Sequence, residues 1–152
     1  MTPGPVDLKV VGDRLRMARA CVDDLRRIPV ATLDEFRADW RNPAAADSLL
    51  RRAIEALFDA ARHLLAKGFG QGALEYRQVA RLAAEKGLVA DKRLQARMLD
   101  IAGYRNRLSH FYDEVTPEEH FGITRNDLTD LEALAAELQR AASRLASGAP
   151  QP

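Results

Sequence analysis

Between Leu49 and Leu65 the apolar residues fall at Leu49, Leu50, Ala53, Ile54, Leu57, Phe58, Ala61, Leu64 and Leu65. Consecutive steps of one and three, which place residues three and four apart on one face, match 3.6 residues per turn and fit no alternating strand. A helix with so long an apolar stripe must be covered by other elements. The chain supplies them. Val11, Leu15, Ala18, Val22 and Leu25 repeat at helical intervals, and so do Leu128, Leu131, Leu134, Leu138, Ala141 and Leu145. Leu94, Met98, Ile101, Leu108 and Phe111 supply a fourth stripe, and Tyr76, Val79, Ala80 and Ala83 mark a shorter helix from about Leu74 to Lys86. The first stripe also suits a seam between two subunits, although burial within the domain is the simpler use.

The punctuation between stripes is equally helical. Asp7 can cap the first helix, which Pro29 closes. Thr32 and Glu35 have capping-box spacing, which predicts a short helix from Leu33 to about Trp40. Asn42-Pro43 should break it, with Asp47 or Ser48 capping the long helix and Gly68 stopping that helix. Gly87 ends the next, and Asp91 caps the one that runs towards Tyr112. Thr116-Pro117-Glu118-Glu119 is a helix start with Pro at the first position. A turn near Gly122 should precede a last helix that begins at Thr124 or Asn126. The expected fold is all-α: an up-and-down bundle of four to five main helices with short extra ones. It should form a single domain over 1–146, followed by a flexible tail over 147–152.

Apolar residues make up 47% of the 152, enough to argue against a disordered chain. The net charge of +1 gives no global pull towards nucleic acid or membrane. Charge is distributed unevenly. Lys92, Arg93, Arg97, Arg105 and Arg107 stand against only Asp91 and Asp100, whereas eight acidic residues between Asp113 and Glu137 face Arg125 alone. The basic sector either receives a phosphate backbone or is one of two solvated faces of opposite sign. Cys21 is the only cysteine, so no intrachain disulfide forms, which fits a reducing compartment. One cysteine and three histidines give no metal-ligand spacing. No 18-residue apolar run and no signal-peptide region is present, so a soluble, cytoplasmic protein without membrane contact is expected. No cofactor is implied. Gly68, Gly70 and Gly72 do not complete a phosphate loop, and His63 reads as a partly buried packing residue.

Chemistry concentrates in Tyr104-Arg105-Asn106-Arg107-Leu108-Ser109-His110-Phe111-Tyr112. At about 100° per residue, Tyr104, Leu108 and Phe111 share one side of a helix, and Asn106 and His110 stack on another. An imidazole exchanges protons near neutral pH, and a guanidinium fork matches phosphate oxygens. His110 as general base on a ribose 2′-hydroxyl, with Arg105 stabilising the pentavalent phosphate, would cut RNA without a metal. The same residues also fit a solvated helix end whose cations oppose the macrodipole.

The pattern Arg-x4-His-x-Tyr, carried by Arg105, His110 and Tyr112, resembles the motif of HepT-type proteins of the HEPN superfamily, the toxin half of bacterial toxin–antitoxin pairs. The stretches Asp59-Ala60-Ala61-Arg62-His63-Leu64-Leu65 and Ala102-Gly103-Tyr104-Arg105-Asn106 fit the same helical series. The resemblance implies a HEPN-type, homodimeric bundle in which two motif helices form one shared cleft. It implies a metal-independent endoribonuclease with Arg105 and His110 catalytic and Asn106 supporting. Arg107 is a candidate RNA contact. A tRNA substrate is a family-guided expectation. The implied partner is a minimal nucleotidyltransferase antitoxin that silences the toxin by transferring AMP to Tyr112. The modifier's own signature, Gly-Ser followed by Asp-x-Asp or Asp-x-Glu, is absent. Ser109 stands where such proteins more often carry an apolar residue. Two rival readings are a non-catalytic HEPN module that docks a nucleotidyltransferase or binds a nucleotide, and a purely structural helical dimer.

Overall fold

The computed structural model describes residues 2–72, 74–110 and 115–148. Seven helices and no strand occur among them: α1 (Leu8–Leu25), α2 (Leu33–Ala38), α3 (Arg41–Phe69), α4 (Tyr76–Glu85), α5 (Lys92–Leu108), α6 (Pro117–Asn126) and α7 (Leu128–Ser147). Four long helices and three short ones agree with the expected all-α bundle.

The strongest stripe builds the spine. Helix α3 buries Leu50, Ala53, Ile54, Leu57, Phe58, Ala61, Leu64 and Leu65 among its 29 residues. Each of the other six helices packs against it. Helix α1 lies against both α3 and α7 through Val11, Leu15, Ala18, Val22 and Leu25. Helix α5 lies against α4, α3 and α7. A fully buried Leu or Phe contributes about 1.5–3 kcal/mol relative to exposure, so this stripe dominates the stability of the bundle.

Local capping explains most boundaries. Asp7 accepts the N–H groups of Lys9 and Val10 at 2.9 and 3.2 Å. Thr32 Oγ1 accepts that of Glu35 at 3.1 Å, Asp91 that of Leu94 at 3.0 Å, and Thr116 that of Glu119 at 3.2 Å. Each satisfies a backbone donor that the first helical turn leaves without a partner.

Four boundaries differ from expectation. Helix α3 begins at Arg41 and runs through Asn42-Pro43, so neither Asp47 nor Ser48 is its cap. A proline in the first turn gives up only an N–H that has no helical acceptor. Asp39 takes over at this end, its carboxylate accepting the Arg41 N–H at 3.0 Å. At the other end the helix passes Gly68 and stops at Gly70, whose φ of 69° is left-handed. Gly68 instead lets Leu145 of α7 come close: a Cβ there would stand 3.2 Å from its Cδ1. Gly122 lies inside α6, and the break falls at Asp127. Ser147, assigned to the tail, is the last residue of α7.

The short helix α2 meets α6 through Phe36 and Phe121, ring centroids 5.6 Å apart, and through an Arg37–Glu118 ion pair at 2.8 Å. Between α2 and α3 stands Trp40, 78% exposed. No helix among the described residues is long and apolar enough to cross a membrane.

Candidate functional site

Helix α5 carries the motif only as far as Leu108. Ser109 caps it, donating its N–H to the Asn106 carbonyl, and the His110 N–H reaches the Arg107 carbonyl at 3.2 Å. His110 is therefore exposed and lies just past the helix end. His110 is two residues beyond the last helical residue, so the four-residue helical spacing to Asn106 no longer sets its direction. Phe111 and Tyr112 lie outside the described residues.

The two motif arginines diverge. Two residues on a helix are separated by about 200°, so Arg105 and Arg107 leave α5 on nearly opposite sides. Arg107 forms a two-pronged pair with Glu119 of α6 at 2.6 and 2.7 Å. That contact holds the Glu119 carboxyl below its ordinary value. Arg105 turns towards α3 and α4. One terminal nitrogen binds the Glu55 carboxylate and the other binds Ser109 Oγ. The guanidinium carbon lies 5.1 Å from the centroid of the Tyr76 ring, and Arg62 lies 4.5 Å from the same centroid. The Arg105 side chain is 12% exposed, and its buried Nε finds no acceptor among the described residues. Asn106 is half-buried on the same turn.

The uneven charge distribution resolves by cross-pairing. Arg93 meets Asp130 at 2.8 Å, and Arg97 meets Asp127 at 3.0 Å and Asp130 at 3.1 Å. With Arg107 on Glu119, these links join the basic stretch of α5 to the acidic stretch of α6 and α7. The segment from Asp91 to Arg107 is thus not an open basic face. Arg105 pairs outside that set, and Lys92 stands exposed at the start of α5.

A further cluster holds the end of α5 in place. Arg51 of α3 donates to the Leu108 carbonyl at 3.0 Å and to Asp47 at 3.0 Å. His120 of α6 faces Asp47 through Nε2 at 3.4 Å and Tyr104 of α5 through Nδ1 at 2.6 Å. Burial pushes the Tyr104 hydroxyl far up, so it keeps its proton. Burial also pushes the His120 imidazole below its ordinary 6.5, against the opposing pull of Asp47 and Glu119. A neutral imidazole that accepts from Tyr104 at Nδ1 carries its proton on Nε2, towards Asp47. Sequence reasoning missed His120. Its partners are distant in the chain, and its only local signal is a place on the first turn after Thr116. Tyr104 itself is buried in the core.

On the side of α5 away from Arg105 lies a cleft of about 420 Å³, lined in part by Ile54, Ile101, Gly103, Tyr104, Arg107 and Ile123. Its edge includes Leu99, which is 42% exposed. Among the described residues no group of His, Cys, Asp and Glu is placed to hold a metal ion.

A family model described as "Ribonuclease HepT-like" matches residues 18–138. The chain belongs to the HepT-like family. Two solved structures share its fold. One is a tri-AMPylated Shewanella oneidensis HEPN toxin in complex with an MNT antitoxin, with a TM-score of 0.76 at 18% identity, covering 86% of this chain and 97% of that one. The other is a toxin–antitoxin with AMP-PNP, with a TM-score of 0.73 at 18% identity, covering 85% and 97%. No curated protein matches. The HepT-like match includes α3, α4, α5 and α6 complete, and with them every residue of the Arg105 and His120 clusters.

His63 serves the start of the chain. Its Nε2 accepts the Asp7 N–H at 3.0 Å, fastening the start of α1 to α3. Burial lowers its pKa from 6.5 as well. Both His63 and His120 are held neutral in the fold, so the unfolded chain takes up protons first as pH falls. The stability they contribute is complete above about pH 6.5 and is lost as pH drops through their lowered folded values. Melting followed by circular dichroism should therefore show a lower midpoint at pH 5.5 than at pH 7.5. His120→Gln should flatten that slope; an unchanged slope in the variant would remove His120 from the account.

Proposed function

We propose that this chain is the toxin of a bacterial toxin–antitoxin pair and a metal-independent endoribonuclease. The supporting observation is Arg105 fixed in the last turn of α5 with an exposed His110 just beyond that helix, in a chain of the HepT-like family. His110 takes the proton of a ribose 2′-hydroxyl. The freed oxygen attacks the adjacent phosphorus, the bond to the 5′-oxygen breaks, and a 2′,3′-cyclic phosphate remains. Arg105 stabilises the pentavalent phosphate, and Asn106 supports the geometry of that turn. Arg107 contacts the RNA backbone where Glu119 leaves it exposed. The leaving 5′-oxygen gains a proton from the second imidazole of a homodimeric cleft. A tRNA is the substrate class to examine first, in the cytoplasm.

The dimer rests on the family reading; on α5 the exposed Leu99 is one apolar side chain that a second subunit would cover. The partner is a minimal nucleotidyltransferase antitoxin. One fold relative is tri-AMPylated and bound to its MNT antitoxin, and that modification is carried here to Tyr112. The tyrosine oxygen displaces pyrophosphate from the α-phosphorus of ATP, and the added phosphate obstructs the anion site beside Arg105. A second reading, a non-catalytic module that docks the nucleotidyltransferase or binds a nucleotide, is favoured by one observation: the Arg105 guanidinium is already engaged by Glu55.

The deciding assay is cleavage of total cellular RNA in EDTA. The parent should cut, and His110→Ala should lose about 100-fold or more, the usual contribution of a general base. Arg105→Lys should retain more activity than Arg105→Ala, because lysine keeps the charge without the fork. A His110→Ala variant as fast as the parent removes the base assignment, and a silent parent moves the function to the docking module. In light scattering the parent should be a dimer and Leu99→Arg a monomer; a variant that stays dimeric places the seam elsewhere. After co-expression with a nucleotidyltransferase encoded beside it, intact mass should rise by whole AMP units. Tyr112→Phe should abolish the increment, and an undiminished increment would put the modification on another residue.

A further inference from the structure

A phosphate arriving at Arg105 finds the site partly taken. One terminal nitrogen holds the Glu55 carboxylate, and with it goes part of the fork that a phosphate uses. The two partners are unequal. Arg105 is stacked by Tyr76, tied to Ser109 and only 12% exposed, so its guanidinium has little freedom to turn outwards. Glu55 is 40% exposed. It is the more exposed member of the pair and packs less against the bundle. The charge balance agrees. Asp59, the next acid on this face of α3, is already paired with Arg62 at 3.1 Å. The ion pair that Glu55 makes among the described residues is the one with Arg105. Arg105 also keeps a buried Nε donor without an acceptor among the described residues.

We propose that Glu55 is an internal ligand of the Arg105 anion site, occupying the guanidinium edge that a phosphate group takes and yielding it when one binds. The ligand class is a phosphate monoester or phosphodiester. This rests on the reading of Arg105 as the phosphate anchor. It adds a competing acid, contributed by α3 and remote in sequence from the motif, that keeps the site closed while it is empty. The closed state needs no antitoxin and no modification.

The test uses inorganic phosphate as the probe and the ¹⁵N-labelled Arg105 Nε–H resonance as the readout, assigned by its loss in Arg105→Lys. The binding midpoint in Glu55→Gln should fall about fivefold below the parent, because glutamine removes the competing charge and nearly keeps the volume. Asp59→Asn should move the midpoint less than twofold, since its partner is Arg62. Equal midpoints in parent and Glu55→Gln, a Glu55→Gln resonance that does not respond to phosphate, or an equal gain in Asp59→Asn would overturn the proposal. Circular dichroism melts confirm that each variant is folded, and Glu55→Asp supplies a second substitution that keeps the charge and should leave the midpoint near the parent's. The ribonuclease reading fails separately, through a parent that does not cut RNA in EDTA. A shifted phosphate midpoint in a protein that cuts nothing would keep Glu55 as the site's internal ligand and discard only the cleavage.

Discussion

Burial of one face of α3 is the constraint from which the rest of the molecule follows. A 29-residue helix with so many fully buried aliphatic and aromatic side chains cannot be left half-covered, and all six other helices pack against it. The candidate site inherits its geometry from that arrangement. Glu55, Asp47 and Arg51 all project from α3, and each reaches the motif helix or its immediate neighbour α6. The last turn of α5 is thus placed by contacts with the spine more than by its own sequence. Arg51 satisfies a terminal carbonyl that would otherwise have no helical donor, and the Asp47–His120–Tyr104 chain fixes α6 beside it.

The same framework sorts the charges. Cations of α5 on the side of α6 and α7 are matched by acids from those helices, which removes most of the apparent basic sector as a surface for RNA. Surface pairs of this kind contribute little to stability individually, but together they set what a phosphate encounters. Arg105 stands apart: its acid comes from α3, its support is a tyrosine ring, and it is the most buried cation of the motif. Composition counted Arg105 and Arg107 as equivalent, whereas the helix sends them to different neighbours.

What could be read from the residues follows a physical division between local and distant terms. Helix identity was legible because apolar periodicity is local, and the caps at Asp7, Thr32, Asp91 and Thr116 were legible because each acts within three residues. Asn42-Pro43 misled because proline breaks a helix interior but is tolerated in a first turn, and only packing onto the bundle decides which applies. Gly122 misled in the same way, being a helix interior with nothing within 4 Å of where a Cβ would stand. Arg105 and His110 could be singled out by residue type and spacing. Glu55 and Tyr76 could not, since they are joined to Arg105 only once α3, α4 and α5 have packed. His120 was hidden for the same reason.

Trp40 gives the molecule a peculiar optical property. It is the chain's only tryptophan, and it sits almost wholly in water at the junction of α2 and α3 while the core around Phe58 contains no indole. Its ring is already largely hydrated in the folded protein, so emission should be a poor witness to melting of the core. It is instead a natural beacon for whatever comes to rest against the corner where α2 passes into α3. A binding partner that covers this corner would announce itself by a blue shift without any added label, and one that docks elsewhere would leave the spectrum unmoved.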